Sequence, residues 1–214
     1  MTSQASPPPI YALTPGRLTG DGPGLTSLVE DVRNATRAGL RAVLVREPGL
    51  TDRAFLGLTR AIVDIVGEVD GWVGVHDRPH LARLTGASGV HLGFRSLAPR
   101  DAREVVGGEL AIGLSTHADD DPAPIEGVDH VFFGPVRPTP SKEGILDAVG
   151  LEALHRRCEQ SPVGVWAIGG LRPTDVRACL DAGARGLAVL GGLLGSPSPA
   201  ESTGAYLEEV SRWS

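Results

Sequence analysis

From Ile10 onward, short apolar runs rich in β-branched residues alternate with longer segments whose apolar positions recur every three or four residues. The short runs are Ile10–Leu13, Ala42–Arg46, Trp72–His76, Gly89–Leu92, Ala111–Ser115, His130–Gly134, Val163–Ile168 and Gly186–Leu190. Helical spacing marks Leu25–Ala38, Thr51–Val66, Pro99–Val106, Leu151–Cys158, Pro173–Ala182 and Pro199–Trp213. Pro173 and Pro199 suit a first helical turn, where the missing N–H has no bond to lose, and Gly39 and Gly183 suit helix ends. A junction of the form Ala-Gly-x-x-small-apolar recurs at Ala38–Val43 and Ala182–Leu187, with a weaker echo at Thr85–Val90, so each helix turns directly into the next strand.

Strictly alternating strands and helices predict a parallel sheet, and eight strands in about 200 residues predict its closure into a single α/β domain, a (β/α)8 TIM barrel over residues 10–214. A doubly wound open sheet is the second choice; it lacks an early Gly-x-Gly-x-x-Gly. The segment Ala118–Asp129, with Asp119-Asp120-Asp121-Pro122-Ala123-Pro124, leaves little room for a helix, so the fifth crossover is expected to be short or irregular. Residues 1–9, polar and proline-rich, are expected to form a flexible leader and, without a basic start or an apolar stretch, to be neither signal peptide nor membrane anchor.

Charge narrows the partners. Twenty basic against 26 acidic residues leave a formal net charge of −6, which argues against binding nucleic acid or an anionic membrane through a basic surface. Any anionic ligand must then be captured locally. Cys158 and Cys179 belong to different amphipathic segments, with no CxxC and no histidine cluster nearby, and are expected to be free thiols of a cytoplasmic protein.

In a barrel of this kind the chemistry sits at the C-terminal ends of the strands. Two glycine pairs, Gly169-Gly170 and Gly191-Gly192, follow the seventh and eighth runs, where bare backbone N–H groups can cradle a phosphate. After the sixth run, Gly134-Pro135-Val136-Arg137-Pro138-Thr139-Pro140-Ser141-Lys142-Glu143-Gly144 combines stiffening prolines, two hydroxyls and the single lysine of the chain, suited to holding an oxyanion. His117, just past the fifth run, is a candidate general acid or base. His91 reads as structural, and no metal site is expected.

Together these pieces resemble the thiamine phosphate synthase and thiazole tautomerase (TenI-like) superfamily. Arg46-Glu47, His76-Asp77-Arg78, Gly89-Val90-His91-Leu92-Gly93, Ile112–His117, Phe133–Gly144 and Ala167–Gly170 occur in its order and spacing, from about Tyr11 to Leu194. The resemblance implies a barrel binding a small-molecule thiazole phosphate. Thr139 and Ser141 match positions that contact the thiazole or its phosphate, and Gly169-Gly170 and the Leu190-Gly191 turn match the phosphate cradle. Synthases join thiazole phosphate to a hydroxymethylpyrimidine pyrophosphate with magnesium; tautomerases aromatise a carboxylated thiazole phosphate by moving a proton.

This chain departs from the synthase pattern. It has Leu44-Val45-Arg46-Glu47-Pro48 in place of Gln-x-Arg-Glu-Lys, His76-Asp77 in place of Asn-Asp, and Gly93-Phe94-Arg95-Ser96-Leu97 where synthases carry a second magnesium-binding aspartate. Losing an acidic ligand beside the cationic Arg95 weakens a magnesium site. The first expectation is therefore a thiazole tautomerase without cofactor, with His117 moving the proton, Arg46 pairing the ring carboxylate and Lys142 offsetting negative charge. Alternatives are the synthase, which would need magnesium, and a non-catalytic binder of thiamine precursors. A homodimer is compatible with the sequence, which carries no interface signature.

Overall fold

The structure is a computed structural model that describes residues 6–20, 22–118, 120, 126–139 and 147–213. Eight parallel strands, β1 (Ile10–Leu13), β2 (Ala42–Val45), β3 (Trp72–His76), β4 (Gly89–Leu92), β5 (Ala111–Thr116), β6 (His130–Phe133), β7 (Gly164–Ile168) and β8 (Gly186–Val189), pair in chain order. Ile10 pairs Leu187 and Ala12 pairs Val189, which closes the barrel. Each strand is buried on both sides, as an apolar run demands.

The two-residue alternation of a strand sorts its side chains into two cores. Outward residues such as Val43, Val73, Val90, Ile112, Val165 and Leu187 pack under the helices. Inward residues, among them Tyr11, Leu44, Trp72, Phe132 and Trp166, form a separate interior cluster that also encloses His91 and His130. These rings fit because glycines face them. A Cβ on Gly89 would lie 2.9 Å from Trp72, one on Gly164 2.9 Å from Trp166, and one on Gly113 would collide with both buried imidazoles. Tyr11 meets Trp72 and Phe132 edge-on, at 5.1 and 5.2 Å between ring centroids.

The helices are α1 (Pro23–Arg37), α2 (Asp52–Gly67), α3 (Pro79–Thr85), α4 (Pro99–Val106), α5 (Gly150–Gln160), α6 (Val176–Asp181) and α7 (Pro199–Trp213). Proline opens α1, α3 and α4 within their first two positions, and Thr51 caps α2 by accepting the Ala54 N–H. Pro173–Asp175 is a separate 3-10 turn ahead of α6, so the segment expected as one helix is two. Helix α3 is an addition to the sequence expectation: seven residues are too few to show a helical period. Between β5 and β6 the described residues form no helix, in line with the irregular fifth crossover.

Residues 7–9, next to the first strand, pack against the barrel. Pro7 is buried, the Trp166 indole N–H donates to the Pro8 carbonyl at 3.1 Å, and the Leu187 N–H donates to the Pro9 carbonyl at 2.7 Å. The lower mouth of the barrel needs acceptors for those two N–H groups, and prolines, having no N–H of their own, supply carbonyls without adding an unpaired donor. Cys158 and Cys179 are free thiols, and no helix among the described residues is long and apolar enough to cross a membrane.

Candidate active site

The loops after the eight strands gather at one mouth. On the β2 to β4 side, Glu47 is 1% exposed, and its two carboxylate oxygens accept the N–H groups of Gly16 and Leu18 at 2.8 and 2.9 Å. It fixes the β1 loop. Arg46 next to it is anchored by its own N–H to the Thr14 hydroxyl, and its guanidinium lies over Gly16. Asp77 and Arg78 both have left-handed backbones, at φ 58° and 53°, a conformation costly for side chains other than glycine. The Arg78 guanidinium holds this turn, donating to Leu50 O at 2.8 Å, Pro48 O at 3.3 Å and the Asp52 carboxylate at 3.1 Å, and stacking on Phe55.

Three imidazoles run down from this mouth. His76 at the end of β3 is 6.3 Å from His91, which is 5.8 Å from His130, centroid to centroid. Burial, reinforced by the Arg46 charge and partly opposed by Asp77, pushes His76 down to about 4. His91 is driven down by burial and then by its two histidine neighbours, and His130 falls by burial to about 4. All three are neutral at pH 7. His91 Nε2 meets the Ser115 hydroxyl at 3.0 Å, so it is a buried polar pair at the floor of the site as well as a packing residue. Its inward parity, shared with Gly89 on β4 and with Gly113 and Ser115 on β5, is the signal in the sequence that points to this second role.

The fit to a divalent ion is poor. Asp77, Arg78, Arg95 and Ser96 line one cleft, and Ser96 Oγ already accepts the Gly93 N–H at 2.9 Å. Among the described residues no group of three or more His, Cys, Asp or Glu side chains is placed to hold a metal. One carboxylate in a cleft that two arginines also line does not make the hard, anionic oxygen cage magnesium requires.

On the β6 to β8 side the loops are bolted together. The N–H groups of Val136 and Arg137 donate to Ile168 O and Gly169 O at 2.8 and 3.0 Å, extending the β6 and β7 pairing past the strands. Arg137 Nε reaches the Asp175 carboxylate at 2.9 Å, whose other oxygen accepts the Arg172 N–H at 3.0 Å. Gly169 and Gly170 have positive φ, and a Cβ on either would strike Pro135, Arg137 or the Pro138 carbonyl. This glycine pair is therefore required by the close approach of the β6 loop. Gly191, in contrast, faces open space, while Gly192 leaves room for the Tyr206 hydroxyl, which donates to Leu171 O at 2.8 Å. Thr139 stands half-buried at the end of the bolted strip. Ser141, Lys142, Asp119 and Asp121 lie outside the described residues.

His117 follows β5, with its N–H bonded to the Asp120 carboxylate at 2.6 Å and its Nδ1 3.5 Å from the same oxygen. Thr139, Gly169, Gly170, Gly191 and Gly192 thus belong to neighbouring loops of one sector, His117 borders it just after β5, and Arg46 lies just after β2, opposite β6 across the mouth.

The sequence matches the family described as Thiamine monophosphate synthase over residues 10–193. The chain belongs to this family. A protein of Geobacter sulfurreducens named putative thiamine-phosphate synthase is 34% identical over 200 residues, which cover 92% of either chain. The thiamine-phosphate synthase of Corynebacterium efficiens is 36% identical over 193 residues, 85% of this chain and 88% of that one. Among solved structures, the thiamine phosphate pyrophosphorylase of Pyrococcus furiosus superposes with a TM-score of 0.82 at 27% identity, covering 95% of this chain and 96% of the other. Membership in the thiamine monophosphate synthase family makes this an enzyme-family barrel of thiamine biosynthesis, for which small phosphorylated substrates are expected.

Proposed function

We propose that this barrel acts on a thiazole phosphate held between the β6, β7 and β8 loops, and that it performs the condensation named for its relatives, thiamine phosphate synthesis. The observation that supports the thiazole phosphate assignment is the bolted β6–β7 strip, which sets the β6 loop that leads to Thr139 against Gly169-Gly170, on the strand next to the open-faced Gly191. The synthase names of relatives aligned over most of the chain support the reaction, in preference to the tautomerase expected first. In it the thiazole nitrogen forms a bond to the pyrimidine methylene carbon as the carbon–oxygen bond to pyrophosphate breaks. Arg46 and the exposed Arg95 are the cations on the side of the mouth opposite the thiazole phosphate, where leaving-group charge develops.

One observation favours a second reading, the tautomerase. The Asp77, Ser96 and Arg95 cleft fits magnesium pyrophosphate poorly. In that reaction His117 moves a proton on a carboxylated thiazole phosphate, with the Asp120 carboxylate 3.5 Å from its Nδ1, and Arg46 receives the carboxylate in a bidentate pair. Neither role needs a metal.

The test pairs two assays on one preparation. Thiazole phosphate and hydroxymethylpyrimidine pyrophosphate are incubated with magnesium and the product is oxidised to fluorescent thiochrome. In parallel, the non-aromatic carboxylated thiazole phosphate is followed by ultraviolet absorbance. Thiochrome formation supports the synthase; aromatisation without thiochrome replaces it with the tautomerase; binding of thiazole phosphate with no turnover in either assay replaces both with a binder.

A further inference from the structure

Seven loops at the mouth of this barrel run into a helix or a 3-10 turn that holds their far end, but among the described residues the loop after β5 does not. It is held from the side instead. Arg157, on the next helix α5, is 6% exposed, and its Nη2 donates to the His117 carbonyl at 2.8 Å and to the Asp120 carbonyl at 2.7 Å. Its guanidinium packs over the Phe133 ring, 5.0 Å from the centroid. Within the loop, the His117 N–H is bonded to the Asp120 carboxylate, and the Asp120 N–H returns to the His117 carbonyl at 3.3 Å.

We infer that Arg157 is the positioning residue for His117: where no helix follows β5 among the described residues, it clamps the His117 and Asp120 carbonyls together. This rests on the reading that His117 works at the mouth of the thiazole phosphate site. The chemistry selects arginine. One planar nitrogen with two N–H groups serves two carbonyls at once, the rigid fork keeps their spacing, and the flat cation stacks on Phe133. A lysine reaches one carbonyl with a point charge and no stacking face. When the clamp is lost, His117 is free to shift from its place beside the proposed thiazole phosphate site, and displacements of about 1 Å at a reacting group cost on the order of 100-fold in rate.

The test uses Arg157→Met, Arg157→Lys and His117→Gln, singly and combined. Arg157→Met is expected to lower kcat by about 10- to 100-fold in the aromatisation assay, where His117 moves the proton, with KM nearly unchanged. Arg157→Lys should recover part of that loss. In the His117→Gln background, Arg157→Met should cost nothing further, because its effect runs through His117. Separately, the imidazole nitrogen resonances of His117 should shift in Arg157→Met while those of His155 stay in place. The inference is overturned if the losses from Arg157→Met and His117→Gln multiply, or if the His117 resonances are unmoved in a folded variant. Should Arg157→Met fail to fold, the lysine variant carries the same comparisons. An inactive wild type refutes the functional reading alone, and the resonance shift then decides the clamp without turnover.

Discussion

His130 is a buried imidazole enclosed by Tyr11, Trp72, His91, Phe132 and Trp166, and neither ring nitrogen has a hydrogen-bond partner among the described residues. Burial, slightly opposed by Asp129, lowers it from 6.5 to about 4. The unfolded chain therefore binds a proton that the folded chain refuses between these values, so stability is complete above pH 6.5 and falls as the pH drops toward 4. Integrating the difference from pH 7 to pH 4.5 gives a loss of about 2 kcal/mol from His130 alone. His76, lowered to about 4, adds a loss of similar size. Against a total of roughly 5–15 kcal/mol, these are large fractions. Urea unfolding at the two pH values measures the effect. The diagnostic variant is His130→Phe, which keeps a flat ring among the aromatics and removes the titration, so its stability should fall by about 2 kcal/mol less than the wild type over the same range. If the two proteins lose stability in parallel, His130 carries its proton inside the barrel and the burial argument is wrong.

Tyr206→Phe removes the hydroxyl that bonds Leu171 O and should cost about 1–3 kcal/mol in urea unfolding, because the carbonyl is left without that donor; no loss would show that the β7 loop is held by other contacts. Glu47→Ala strips the acceptor from the Gly16 and Leu18 N–H groups and should cost about 2–4 kcal/mol, measured the same way; a neutral result would mean that the β1 loop keeps its shape without this carboxylate. Gly170→Ala adds about 1–2 kcal/mol of left-handed strain and pushes against the Pro138 carbonyl. Calorimetric titration should show weaker thiazole phosphate binding, and unchanged affinity would separate that loop from the phosphate.

The barrel is legible in the sequence because its strands are buried on both sides, which writes each of them as an uninterrupted apolar run, and because the Ala-Gly junctions punctuate the helices. Helix α3 is not: its residues Pro79–Thr85 make under two turns, and its boundary is set by the left-handed Arg78, which no propensity foretells. The site is legible in part. Glycine after β7 reads as an opening for an anion, whereas Gly169 and Gly170 are demanded by a neighbouring loop that only the folded strand order brings against them. Arg157 carries no signal at all. It lies 40 residues from His117 and inside an ordinary amphipathic pattern, so its burial and its two carbonyl partners emerge only once α5 is packed beside the β5 loop.

The closure of β8 onto β1 has a consequence for biosynthesis. Strand β1 finds β2 within about 30 residues of chain, but its other edge pairs with Gly186–Val189, made about 175 residues later. At ~5–20 residues per second that edge waits roughly 9–35 s on the ribosome, open to any passing strand. The prolines at 7–9, which cap the finished barrel, also shorten the exposure, since they offer no N–H with which a false ladder can grow past Ile10.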